Sequence, residues 1–221
     1  MTGNLTATIG EITKANGTGQ PPLPQPIIPP STDRLYEWFG QYFGEKNLNV
    51  GTGLRHYKGF LTLDCDPQTQ PDVLHNMEET PLPFEANHFD CIFGSHVFEH
   101  IRNFVPLVED FHRILKPGGY LISITPYMGS DDAWECPHHV RAFNENTWYY
   151  FDQRLYGDVS CDSAGLGAWQ NYRGNFQIEQ VILVPYPQFT KEAQEDLQSF
   201  EFKKKHWRNV IQEVQAVLRK V

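Results

Sequence analysis

Short apolar runs separated by polar turns dominate residues 47–126. "NLNVG" (47–51), "FLTLD" (60–64), "DVLH" (72–75), "FDCIFGS" (89–95) and "GYLISITP" (119–126) have the pattern of strands buried on both faces. Between the last two, "HVFEHIRNFVPLVEDFHRILK" (96–116) has helical spacing, with Pro106 at an internal start or kink, and "PGG" (117–119) ends it. Strand, helix, Pro-Gly-Gly, strand is a βαβ unit and requires parallel strands. Upstream, residues 33–45 set Leu35, Trp38, Phe39, Tyr42 and Phe43 at helical spacing behind Asp33 as cap, which predicts a short helix covering the sheet. Downstream, 144–156 reads as helix and 176–186 as an antiparallel edge strand. Residues 190–221 read as a C-terminal helical segment packed on the domain or on a partner. Trp207, Val210, Ile211, Val214, Leu218 and Val221 form its stripe, and "KKKHWR" lies at its start. The expected fold is α/β, a doubly wound and mostly parallel sheet spanning 33–189.

Residues 1–32 differ in kind. They run through Gly, Thr and Asn into "QPPLPQPIIPPSTD", where proline removes backbone donors and favours extended polyproline II. This stretch is expected to be an extended Pro-rich arm, either a free tail or a strap on a partner subunit, which makes a homo-oligomer or a larger assembly the partner expectation.

The 221 residues suffice for one α/β domain with a buried core. No apolar run approaches a membrane span, and no signal peptide is apparent, so a cytoplasmic protein without membrane contact is expected. A net charge of −9 argues against a broad nucleic-acid surface. Cys65, Cys91, Cys136 and Cys161 are widely spaced and form no disulfide framework; Cys65 and Cys91, in or beside strands, are expected to be buried thiols.

In an open parallel sheet, ligands bind beyond the carboxyl ends of the strands where strand order reverses. Those ends carry Gly51, Thr52 and Gly53 after the first strand, Asp64 at the end of the second, and Asn76 and Met77 after the third. Gly94, Ser95 and His96 follow the fourth, and Thr125 to Tyr127 the fifth. Glycines admit close backbone approach, a carboxylate after the second strand can accept two bonds from a ribose diol, and Asn76 with Met77 suits an adenine. There is no G-x-x-x-x-G-K-[ST], so a triphosphate loop is not expected.

These residues carry a resemblance. "LNVGTG", "GFLTLDCDP", "PDVLHNMEETPLPFEANHFDCIFGSHVFEHI" and "HRILKPGGYLISITP" resemble, in order, the class I S-adenosylmethionine-dependent methyltransferases of the small type-11-like group. The resemblance implies S-adenosylmethionine as cofactor. Gly51 and Gly53 would line its methionine end, Asp64 would hold the ribose hydroxyls, Asn76 and Met77 would flank adenine, and Ser95 with His96 would close the floor. Asn49 stands where the wider superfamily often has an acid, and Asn76 where the family often has one. The usual fold puts a helix between the first two strands; only residues 54–59 separate Gly53 from the second run here, so a parallel link with its helix trimmed is predicted over a hairpin.

Methyl transfer from a sulfonium needs alignment and, for many acceptors, removal of a proton. In "YMGSDDAWECPHHVRAFNENTW" (127–148), His138 or His139 is the candidate general base and Arg141 the candidate for an anionic substrate group. The competing reading has one histidine capping the helix at 144–156. Asp131, Asp132, Glu135, Cys136, His138 and His139 are dense in potential ligands, but their spacing matches no zinc motif and Cys136-x-His138 needs two more ligands from elsewhere, so no metal is expected. The H-x-x-E-H spelling of His96, Glu99 and His100 is set aside as local backbone satisfaction. The expected reaction is methyl transfer to oxygen or nitrogen of a small-molecule or carbohydrate-like acceptor; the alternative is a structural or accessory subunit with little or no catalysis.

Overall fold

β1 (Asn47–Val50) is buried at every position because it lies in the interior of the sheet, between β2 (Phe60–Asp64) and β4 (Phe89–Ser95). It pairs in parallel with both. The computed structural model describes residues 35–155 and 172–221; the Pro-rich arm, the Asp33 cap and Cys161 lie outside them. With β3 (Val73–Leu74), β5 (Leu115–Pro126), β6 (Phe176–Pro185) and β7 (Ile211–Lys220), the strands run in the order β3-β2-β1-β4-β5-β7-β6. The first five in this order are parallel and β7 is antiparallel to both its neighbours. The chain builds outward from β1 to β3, then returns to the other side of β1, so strand order reverses between β1 and β4.

The link between β1 and β2 is the trimmed crossover. Residues 51–59 contain no helix, yet β1 and β2 are parallel. A four-residue strand is only about 13 Å long, and nine residues can retrace that distance in an extended path. α1 (Leu35–Phe39) and the turn after it cover the face that a crossover helix would have covered. Leu35 and Phe39 pack with Phe93, Ile122 and Val217, while Tyr57 and Phe60 border the same cluster. The main core lies on the opposite face, as the alternation of Leu121 and Ile122, or Leu218 and Val217, between the two clusters requires. There α2 (Phe104–Ile114) buries Leu107, Val108 and Phe111 against Phe98, Phe143 and Trp148.

Several expectations need correction. The C-terminal stripe is not one helix: α3 (Pro187–Glu195) and α4 (Leu197–His206) are followed by the strand β7. A strand buried on both faces loses its two-residue alternation, and Ile211, Val214 and Leu218 then imitate helical spacing. Lys203 to His206 accordingly form the last turn of α4, where cations suit the helix dipole, rather than a helix start. Residues 144–156 give 3-10 turns at Thr147–Phe151 and Gln153–Leu155 instead of an α-helix. Cys91 is buried as expected, but Cys65 is exposed. The 96–116 pattern also divides, into a 3-10 turn at Phe98–His100 and α2, whose first turn holds Pro106 where no backbone donor is needed.

Candidate functional site

The loop after β1 is held from beneath by its own polar side chains. Asn49 Nδ2 donates to Thr52 Oγ1 (2.8 Å) and to the Arg55 carbonyl (3.0 Å), and Thr52 Oγ1 donates to the same carbonyl. Both residues are buried. These bonds close the turn that replaces the crossover helix. Gly51, at φ +61°, lies against Val97: a Cβ there would come within 2.2 Å of Val97 Cγ2. Glycine is therefore required by packing of the β1 loop on the segment after β4. At Gly53 (φ +52°) a Cβ would meet nothing within 4 Å, so the outer side of this loop is open.

Asp64 ties that loop to the end of β2. Its Oδ2 accepts the Gly53 N–H (2.8 Å) and its Oδ1 accepts the Asp66 N–H (2.9 Å). Each oxygen keeps a second lone pair. After β3, Asn76 is exposed and its Oδ1 accepts the Glu78 N–H (3.1 Å), while Met77 is buried in the main core. Glu78 accepts the N–H groups of Arg102 (2.7 Å) and Asn103 (2.8 Å), joining this loop to the start of α2.

At the end of β4, Ser95 is half-buried and His96 takes a left-handed conformation (φ 53°), uncommon for a residue with a side chain. Its N–H donates to the Ile124 carbonyl (2.8 Å), and its Nε2 lies 3.0 Å from Glu213 Oε1 on β7. His96 Nδ1 is 3.7 Å from Glu99 Oε1. Burial works against a charged His96, but the Glu213 hydrogen bond and the charges of Glu213 and Glu99 outweigh it, and the pKa lies above the usual histidine value. Glu99 is buried, neither of its oxygens has a hydrogen-bond partner among the described residues, and burial raises its pKa.

The segment after β5 folds over this end of the sheet. His139 Nδ1 lies 3.1 Å from the Ala133 carbonyl; a carbonyl only accepts, so Nδ1 carries the proton and donates it, leaving Nε2 a lone pair. That Nε2 is 4.0 Å from Glu99 Oε1. His138 is exposed. Arg141 donates from Nε to the Ile101 carbonyl and from a terminal nitrogen to the Arg102 carbonyl (3.0 Å each), with its guanidinium 4.8 Å from the Phe104 ring centre. These contacts give Arg141 a part in holding the 98–103 backbone.

The structure thus gathers Gly51, Gly53, Asp64, Ser95 and His96 where strand order reverses. Asn49 and Thr52 underpin the loop, Met77 joins the core, and Asn76 stands at the β3 edge. Sequence reasoning missed Glu213, because it lies on a strand read as helix, and dismissed Glu99. The signal for Glu213 was present: an acid beside Val214 in an otherwise apolar stripe.

Residues 57–123 match the family described as "Methyltransferase domain". A demethylmenaquinone methyltransferase of Listeria monocytogenes is 28% identical over 89 residues, 38% of this chain and 37% of that protein, so the chain spans little more than a third of that curated relative. Among solved structures, an S-adenosylmethionine-dependent methyltransferase from Archaeoglobus fulgidus superposes with a TM-score of 0.59 at 13% identity, over 85% of this chain and 91% of that one. One from Aquifex aeolicus gives 0.50 at 17% identity, over 86% and 94%. The [4+2]-cyclase SpnF gives 0.53 at 15% identity, over 85% and 81%. Identities this low speak to fold alone. Sheet order and these neighbours agree on the class I methyltransferase fold, and residues 57–123, under a third of the chain, match the methyltransferase-domain family, whose cofactor is S-adenosylmethionine.

Proposed function

We propose that this chain transfers a methyl group from S-adenosylmethionine to an oxygen or nitrogen of a small-molecule or carbohydrate-like acceptor. The observation that carries this reading is the Asp64 carboxylate, pinned by the Gly53 N–H at the point of strand reversal with lone pairs to spare. The residues fit the cofactor: Asp64 would accept its ribose hydroxyls, the open face of Gly51–Gly53 would line its methionine end, and Asn76 would meet the adenine edge. Met77 would support this wall from the core side. When bound, the cofactor supplies an activated methyl group.

The chain's own residues then orient the acceptor and take its proton. The role expected of His138 or His139 falls better to His96. Its Nε2 is fixed by Glu213, which leaves Nδ1 to accept a proton, and Glu99 at 3.7 Å would stabilise the resulting imidazolium. The segment 127–143 would close the acceptor side, with Met128 and Trp134 among its exposed apolar side chains.

A second reading is an accessory subunit. It is favoured by the inward-turned Asn49 and Thr52, whose polar atoms serve the loop rather than a ligand; fold does not fix reaction. Calorimetric titration with S-adenosylmethionine and S-adenosylhomocysteine decides. Saturable binding of both, lost in Asp64→Ala, is expected and opens the search for an acceptor with labelled methyl donor. No binding by the folded chain would overturn the enzyme reading.

A further inference from the structure

Cys136 and His139 are close in sequence and His100 is remote from both, yet the fold brings all three together. One potential ligand atom from each lies within 4.8 Å of the others. We propose that they bind one divalent transition-metal ion of the zinc class, joining the segment after β5 to the turn after β4.

The side chains are prepared for this. The Ala133 carbonyl holds His139 Nδ1 at 3.1 Å, leaving the Nε2 lone pair for the ion; such an outer partner is the usual way a ligating imidazole is oriented. The His100 and His139 rings meet edge to face, 4.6 Å between centres. Cys136 is a free, half-buried thiol. Around a tetrahedral ion with bonds of about 2.0–2.3 Å, neighbouring ligand atoms stand roughly 3.3–3.7 Å apart. The observed separations close to that by side-chain adjustment of about an ångström.

Glu99 is the independent observation. Among the described residues neither Glu99 oxygen has a hydrogen-bond partner, and a carboxyl so buried must either hold a proton or have a cation beside it; a metal ion would supply that cation. Its Oε1 is 4.0 Å from His139 Nε2, so it stands beside the cluster as the fourth ligand or as acceptor for a metal-bound water. Binding releases the Cys136 proton, and the doubly charged ion is then balanced by thiolate and carboxylate. One sulfur with two imidazoles selects zinc, or cobalt as its surrogate, over magnesium or calcium. This site does not depend on the cofactor reading.

The test uses the full chain, dialysed against chelator and titrated with Co²⁺. A thiolate-to-cobalt charge-transfer band saturating at one equivalent, and abolished by one equivalent of Zn²⁺, is expected. Cys136→Ser should remove the band and Cys65→Ser should retain it. His139→Ala should weaken Zn²⁺ binding at least tenfold, with circular dichroism confirming that each variant is folded. A folded wild-type chain with no band, or a band unchanged in Cys136→Ser, overturns the proposal.

Discussion

The Asp64 carboxylate accepts the backbone N–H of Gly53 at 2.8 Å, and with the Gly51 N–H on the Leu63 carbonyl (2.8 Å) this bond ties the loop after β1 to the end of β2. Because no helix follows β1, the loop has few other restraints on its outer side. Asp64→Ala should therefore act twice: it removes the acceptor for the ribose hydroxyls, and it leaves the Gly53 and Asp66 N–H groups without their partner. Loss of S-adenosylhomocysteine binding should accompany a fall in stability of about 1–3 kcal/mol, read from urea midpoints. Unchanged binding would remove Asp64 from the cofactor site.

Gly51→Ala tests why glycine stands there. The substitution puts a Cβ 2.2 Å from Val97 Cγ2 and holds alanine at φ +61°. Overpacking of about 1–3 kcal/mol should add to about 1–2 kcal/mol for the left-handed backbone. Val97→Ala should recover the first part and not the second, so a double-mutant cycle in urea separates them. Full recovery would mean that conformation contributes nothing.

Arg141→Lys should lower stability rather than substrate affinity. Lysine lacks the planar fork that reaches the Ile101 and Arg102 carbonyls at once and stacks on Phe104. A loss of about 1–2 kcal/mol is expected, with S-adenosylhomocysteine affinity unchanged. A normal urea midpoint together with a raised KM for an acceptor would return Arg141 to anion binding.

Much of the fold was legible because β1, β2, β4 and β5 are buried on both faces and therefore read as plain apolar runs. The short β1–β2 link was legible too, since the length between Gly53 and Phe60 excludes a helix. β7 was not: its insertion between β5 and β6 is set by pairing across the whole chain, and its apolar residues fit either period. The same misreading hid Glu213. Cys136, His139 and His100 were each visible, but only the fold of 127–143 over the turn at Phe98–His100 makes them neighbours. Local pattern reports which face is buried; it does not report which loops meet.

Asp152 anchors the start of β6 and sets a pH dependence. It is fully buried, and accepts from Arg154 Nε (2.8 Å) and from the Ile178 N–H (3.1 Å). Burial raises its pKa, but the Arg154 and backbone hydrogen bonds outweigh this and hold it below the usual value. A lowered folded pKa means that this stabilisation is complete above the unfolded value of about 4 and is lost as pH falls through the lower folded value. Asp152→Asn should thus be less stable than wild type at neutral pH, and the difference should narrow below about pH 4. A gap constant down to strong acid would show that the carboxylate's charge is not what stabilises the site.

His96 combines a left-handed backbone with a side chain bound to Glu213, and the two can be separated by His96→Gly. Glycine adopts this conformation freely, which should return about 1–2 kcal/mol. Loss of the imidazole removes one partner of Glu213, although Gln215 still donates to its other oxygen at 3.2 Å. The opposing terms should leave the urea midpoint near wild type. Methyl transfer, however, should fall by roughly 10²–10⁴ if Nδ1 takes the acceptor's proton. S-adenosylhomocysteine affinity should stay within a few-fold, because the proton acceptor and the ribose clamp are different side chains. A stable His96→Gly chain with undiminished transfer would show that the left-handed histidine serves the fold alone, and that proton removal belongs to another group or to solvent.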